Sequence, residues 1–90
     1  MIKVRNLKDT ANEIPSGYGS WIAYWESQKG EATYCHRVGC STTVDLEGAH
    51  VQKVSMHDRS WYIVPLCHTC NEHTDAFDVD INELVVVNPE

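Results

Sequence analysis

A small α+β domain built around a metal ion is what three features of the sequence predict. Four cysteines fall in two close pairs, Cys35 with Cys40 and Cys67 with Cys70, with 26 residues between the pairs. Trp21 to Lys29 carries aromatic and aliphatic side chains at helical spacing between a serine and a glycine. Short runs rich in Val, Ile, Thr and aromatics, bounded by turn residues, read as strands. The 90 residues make one domain, 1–90, whose modest core commonly needs a metal or disulfide staple.

Taken in order, Met1 to Val4 is β-compatible, with Ile2 and Val4 on one face. Asn6 to Gly19 is a connector punctuated by Pro15, Ser16 and Gly17. Ser20 is the expected N-cap of a helical extension over 20–29, and Gly30 its stop. Trp21 and Trp25 stand one turn apart, and their face is expected to lid the core rather than stack a ligand. Glu31 to Tyr34 leads as a strand into the first thiol loop, where Gly39 suits a tight turn with backbone amides directed at sulfur. Thr42 to Val44 and Ala49 to Val54 are expected to form a hairpin across the turn Asp45 to Gly48. Trp61 to Val64 is a further strand, ended by Pro65, which lacks a donor.

The segment CHTCNEHTDAF, from Cys67 to Phe77, is expected to be a helix of about two to three turns. Its N-terminal amides and dipole would favour thiolates in the first turn. Asp78 to Asp80 breaks it, and Leu84 to Val87 forms a last strand, expected to pair with Met1 to Val4.

The chain has 7 basic and 13 acidic side chains, net −6. The excess is uneven: residues 1–44 carry five basic against four acidic, and residues 45–90 carry Lys53 and Arg59 against nine acids. Such a surface aids solubility and repels phosphate backbones, so a protein partner is expected ahead of nucleic acid. No apolar run approaches the roughly 18 residues a membrane span needs, and MIKVRNLKDTANE has no signal-peptide core. A soluble, cytoplasmic protein with no membrane partner is the expectation.

Two readings of the thiols compete with a metal. Four cysteines allow three disulfide connectivities, and a lone C-x-x-C is a redox motif. Without a secretory signal the disulfide reading weakens, and a second thiol pair is foreign to the redox motif. Structural Zn²⁺ held by Cys35, Cys40, Cys67 and Cys70 is the reading adopted, because four thiolates make the tetrahedral soft site that ion takes.

A thiol knuckle, a hairpin and a helix opening on C-x-x-C, from about residue 34 to 77, resemble the treble-clef zinc architecture, with a first spacing of C-x4-C in place of the usual C-x-x-C. Within it, GAHV (Gly48 to Val51) followed by VPLCHTCN (Val64 to Asn71) resembles the HNH endonucleases, ββα-metal nucleases that carry an additional four-cysteine zinc. The resemblance implies that His50 stands at the general base and that Asn71, with His73 beside it, stands where a second divalent ion such as Mg²⁺ would be held. It also implies departures. Ala49 occupies the place of a metal-binding residue and has no donor, and Tyr62 occupies the place of an orienting Asn. His73, two residues after Asn71, and His57, in a loop, both lie away from the family's positions.

The expected function is therefore a structural zinc domain of HNH-like descent, non-catalytic, that contacts another protein. The alternative is a divalent-metal-dependent HNH-type endonuclease using His50. A third reading binds nucleic acid without cleavage through Lys3, Arg5, Lys8, Lys29 and Arg37. His36 and His68 are expected to be exposed spacers, and His50 and His73 each have a plain reading as strand and helix residues.

Overall fold

In the computed structural model, which describes residues 1–7, 19–54 and 58–87, one antiparallel sheet separates the helix Trp21–Lys29 from the cysteine cluster. Its strands are β1 (Ile2–Asn6), β2 (Leu46–Lys53), β3 (Trp61–Cys67), β4 (Phe77–Val79) and β5 (Val85–Val86), in the order β4-β1-β2-β3-β5. The helices are α1 (Trp21–Lys29) and the single turn α2 (His68–Asn71), and a 3₁₀ turn covers Ile81–Glu83. Lys8, Pro15 and His57 lie outside the described residues.

The side-chain alternation of β2 and β3 creates two cores. Ala49 and Val51 project to one face with their neighbours Val64, Leu66 and Val4, joined there by Phe77, Val79 and the cysteines. His50 and its partner Ile63 project to the other, where Trp25 and Val85 are buried against them beneath α1. Ile63, Val64 and Leu66 are fully buried, and each such side chain contributes about 1.5–3 kcal/mol relative to exposure. β3 thus reads as a nearly unbroken apolar run because both of its faces are covered.

Helix α1 begins and ends where its sequence signals stand. Ser20 Oγ accepts the Ala23 N–H at 3.2 Å, and Gly30, at φ +93°, returns its N–H to Glu26 O at 2.8 Å. Three side chains then tie the helix to the C-terminal segment. Trp25 Nε1 donates to Glu83 O at 2.7 Å, Tyr24 Oη to Val86 O at 2.8 Å and Lys29 Nζ to Asn82 O at 2.7 Å.

Several sequence expectations are corrected. Leu84–Val87 does not pair with the N-terminal strand: β1 has both edges filled by β2 and β4, and β5 takes the edge of β3 that β2 leaves open. Thr42–Val44 and Glu31–Tyr34 are irregular, and β2 pairs with β3 instead. The expected turn at Asp45–Gly48 is instead a bend at Val44 and Asp45, the latter at φ +55°, a conformation Asp tolerates, and Leu46 to Gly48 already belong to β2.

Pro65 lies within β3 opposite Gly48. Its carbonyl accepts the His36 N–H at 2.9 Å, so its nitrogen also points away from β2 and no ladder bond is lost. The helix after Cys67 stops at Asn71, and Phe77–Val79 pairs with β1 rather than breaking a longer helix. Burial of Phe77 and Val79 outweighs the weak helix preference of Thr74 and Asp75.

Candidate metal centre

The first thiol pair sits on a tight irregular loop. Cys35 N–H donates to Thr42 O at 2.8 Å, and Cys40 N–H closes a turn on Arg37 O at 2.9 Å. Gly39, third in that turn, has φ +92°, which a residue with a side chain rarely adopts. The amides of Arg37 and Cys67 approach Cys35 sulfur, and the His36 bond to Pro65 O fastens the loop to β3. The second pair needs only the strand end: Cys67 closes β3 and caps α2, and Cys70 falls in its single turn. With four residues, α2 has little dipole to offer the thiolates.

The four Sγ atoms lie within 4.8 Å of one another. A tetrahedron with bonds of about 2.3 Å requires sulfurs about 3.8 Å apart, and Cys40 Sγ and Cys67 Sγ stand at 3.9 Å. That spacing is far too long for a disulfide of about 2.05 Å, and all four cysteines are free. The donor set is soft and compact, and the Cys40–Cys67 spacing matches the edge of such a tetrahedron. It is compatible with a bound metal, zinc being the plausible ion.

The environment of the sulfurs is uneven. Cys35, Cys67 and Cys70 are buried and Cys40 is half-buried. Burial pushes the Cys35 thiol up to about 12, and burial also raises Cys70. Cys40 is drawn down to about 6, chiefly by the Thr42 hydroxyl 3.4 Å from its sulfur and by the Thr42 amide. Arg37 Nη1 reaches Cys70 Sγ at 3.8 Å while its guanidinium lies 5.7 Å from the Phe77 ring centroid. One cation therefore faces a site whose formal charge with a divalent ion is −2, four thiolates against two positive charges.

Around the centre, Glu47 on β2 accepts from Asn71 Nδ2 at 2.7 Å and meets His68 Nδ1 at 2.9 Å. That contact raises the His68 pKa, with Glu72 adding to it. From the other side, Asn6 Nδ2 donates to both Cys70 O and His73 O at 2.9 Å, which supplements the His73 N–H bond to Cys70 O and gives His73 O a donor where α2 ends. Asn6, Thr42 and Glu47 are the supporting residues that sequence reasoning missed. Only Thr42 carried a signal, a hydroxyl two residues beyond a ligand.

The remaining candidates are dispersed. His50 is buried on the α1 face, its ring 4.6 Å from that of Trp21 and 6.4 Å from that of Trp61. Asn71 is held on the opposite face by Glu47, a neighbour of Ala49 and Val51 in the β2 alternation. The structure therefore does not bring His50 and Asn71 together. His73 packs edge-on to Phe77 at 6.1 Å, Ala49 is buried in the core, and the Tyr62 hydroxyl donates to Asp58 at 2.7 Å.

His36 is half-buried between Tyr34 and Trp25, and burial lowers its pKa, whereas His68 is exposed; neither joins the sulfur cluster. Of the cations, Lys3 pairs with Asp78 at 3.4 Å, Lys29 caps Asn82 O and Arg37 serves sulfur. No described helix is long and apolar enough to cross a membrane. No family model, curated protein or solved structure matches this chain.

Proposed function

We propose that the chain is a structural zinc domain that presents a surface to another protein and performs no catalysis. The convergence of four sulfurs from two distant segments within 4.8 Å carries this reading. Zn²⁺ bound by Cys35, Cys40, Cys67 and Cys70 would have a closed four-ligand shell and no open position for substrate. The ion would pin the loop of residues 35–40 to the end of β3, a junction that otherwise rests on a few hydrogen bonds. We read the loop, the β2-β3 hairpin and α2 as a shortened treble clef of HNH-like descent, on the order of these parts and on the motifs GAHV and VPLCHTCN.

The sheet favours the non-catalytic reading over the endonuclease. A base and a metal ligand must address one phosphate, and His50 and Asn71 face opposite sides of β2-β3. A protein partner is favoured by the surface beside the loop. There Val38 and Ile81 are each nearly half exposed, Val38 donating its N–H to Asp78 O and Ile81 following Asp80 in the chain, while Tyr34, equally exposed, packs on His36. Exposed apolar side chains on a chain with net charge −6 suit a basic, partly apolar protein segment better than a phosphate backbone.

Native mass spectrometry should find one zinc per chain, and chelation should abolish the folded circular dichroism spectrum. A plasmid nicking assay with Mg²⁺, Mn²⁺ or Ni²⁺ should stay silent. Cleavage that His50→Ala removes while folding persists would overturn the non-catalytic reading in favour of the endonuclease.

A further inference from the structure

The four sulfurs are not equally reachable. Cys35 is sealed behind the loop, 1% exposed, whereas Cys40 is half-buried and opens onto a cleft of about 280 Å³. Thr42, Val44, Asp45, His68 and Thr69 line that cleft together with the sulfur-bearing Cys40, Cys67 and Cys70. Val44 is 64% exposed, so the mouth is open to solvent. A small neutral oxidant can enter such a cleft, while the negative charge of the site and Asp45 discourages anions. Within the cleft's lining, Cys40 has a second sulfur, Cys67, only 3.9 Å away.

The geometry points to Cys40 as an oxidative modification site: a small peroxide attacks there, Cys67 resolves the product to a disulfide, and the metal is released. This rests on the structural-metal reading above. Cys40 thiolate attacks one peroxide oxygen, the O–O bond breaks, hydroxide leaves, and the sulfur becomes a sulfenic acid. Cys67 thiolate then attacks that sulfur, forms the S–S bond and expels a second hydroxide. Two thiolates lose two electrons and the peroxide gains them. Cys35 and Cys70 remain as the only thiolate ligands, too few to retain the ion.

The test uses the zinc-loaded full chain treated with limiting hydrogen peroxide. Zinc release is followed with a chromogenic indicator, and cysteines are mapped by tryptic mass spectrometry after alkylation. One zinc should leave per chain as a Cys40–Cys67 disulfide accumulates, and trapping with dimedone should label Cys40. Loss of metal should reverse with dithiothreitol and added zinc. A Cys67–Cys70 disulfide, first labelling at another cysteine, or zinc retained after Cys40 is oxidised overturns the proposal and leaves the metal reading intact. A chain that purifies folded and without zinc overturns the metal reading itself, and this proposal with it. Because Cys40→Ser removes a ligand, Val44→Arg is the informative variant. It narrows the cleft mouth without touching a sulfur and should slow zinc release several-fold at unchanged zinc content; an unchanged rate overturns the proposal.

Discussion

The backbone of Gly48 on β2 lies directly against the first turn of α1. A Cβ added there would stand 2.6 Å from the Trp21 carbonyl carbon and closer still to the Ile22 amide. Backbone cannot step aside as a side-chain tip can, so Gly48→Ala should lift the helix from the sheet. Overpacking of this kind costs about 1–3 kcal/mol. Thermal unfolding should show the loss, with Gly19→Ala as the contrast, since nothing lies within 4 Å of that position.

Removal of Arg37 tests the electrostatics of the sulfur cluster. Its guanidinium is 3.8 Å from Cys70 Sγ. Arg37→Met keeps the bulk over Phe77 and deletes the charge. Zinc affinity measured by chelator competition should fall about 10–100-fold, the usual effect of losing an outer partner. Arg37→Lys should recover part of it.

Asn6 tests the clamp on α2. Both of its amide hydrogens serve carbonyls, those of Cys70 and His73. Asn6→Ala leaves His73 O without this donor and Cys70 O with the His73 N–H at 3.1 Å, and should destabilise the folded form by about 1–3 kcal/mol in urea unfolding. Asn6→Asp should be worse, because a carboxylate would then face two carbonyl oxygens.

The pH dependence of Asp58 follows from its neighbours. Hydrogen bonds from Tyr62 Oη, the Ser60 amide and Lys53 hold its carboxyl well below the ordinary carboxylate range. A depressed folded pKa gives stability that is fully present above the unfolded value of about 3.9 and is lost as pH falls toward the folded one. The stability difference between wild type and Asp58→Asn should therefore be constant from neutral pH down to about 5 and shrink below about 4. Urea midpoints of the two chains at matched pH measure it.

The parts of the fold that the sequence makes legible are those fixed by neighbouring residues. Ser20 and Gly30 bound α1 as their side-chain and backbone chemistry requires, and the two thiol pairs come together. The parts hidden from it are set by distant partners. Cys67 to Phe77 reads as one helix until β1 offers Phe77 and Val79 a burial site, and Leu84–Val87 reads as a partner for β1 until β4 occupies that edge. The face on which His50 lies depends on which strand pairs with β2, and no motif records that choice. Glu47 reads as a turn residue because its role is to reach His68 and Asn71 across the fold.

The position of β1 between β2 and β4 has a consequence for the order of assembly. Lys3 and Asp78, paired across β1 and β4, are 75 positions apart, whereas every sulfur lies between residues 35 and 70. Closing the longer loop demands somewhat more chain entropy, so bringing the two sulfur-bearing segments together costs less than pairing β1 with β4. On the zinc reading proposed above, a growing chain starved of the ion would falter early, at the joining of its two sulfur-bearing segments.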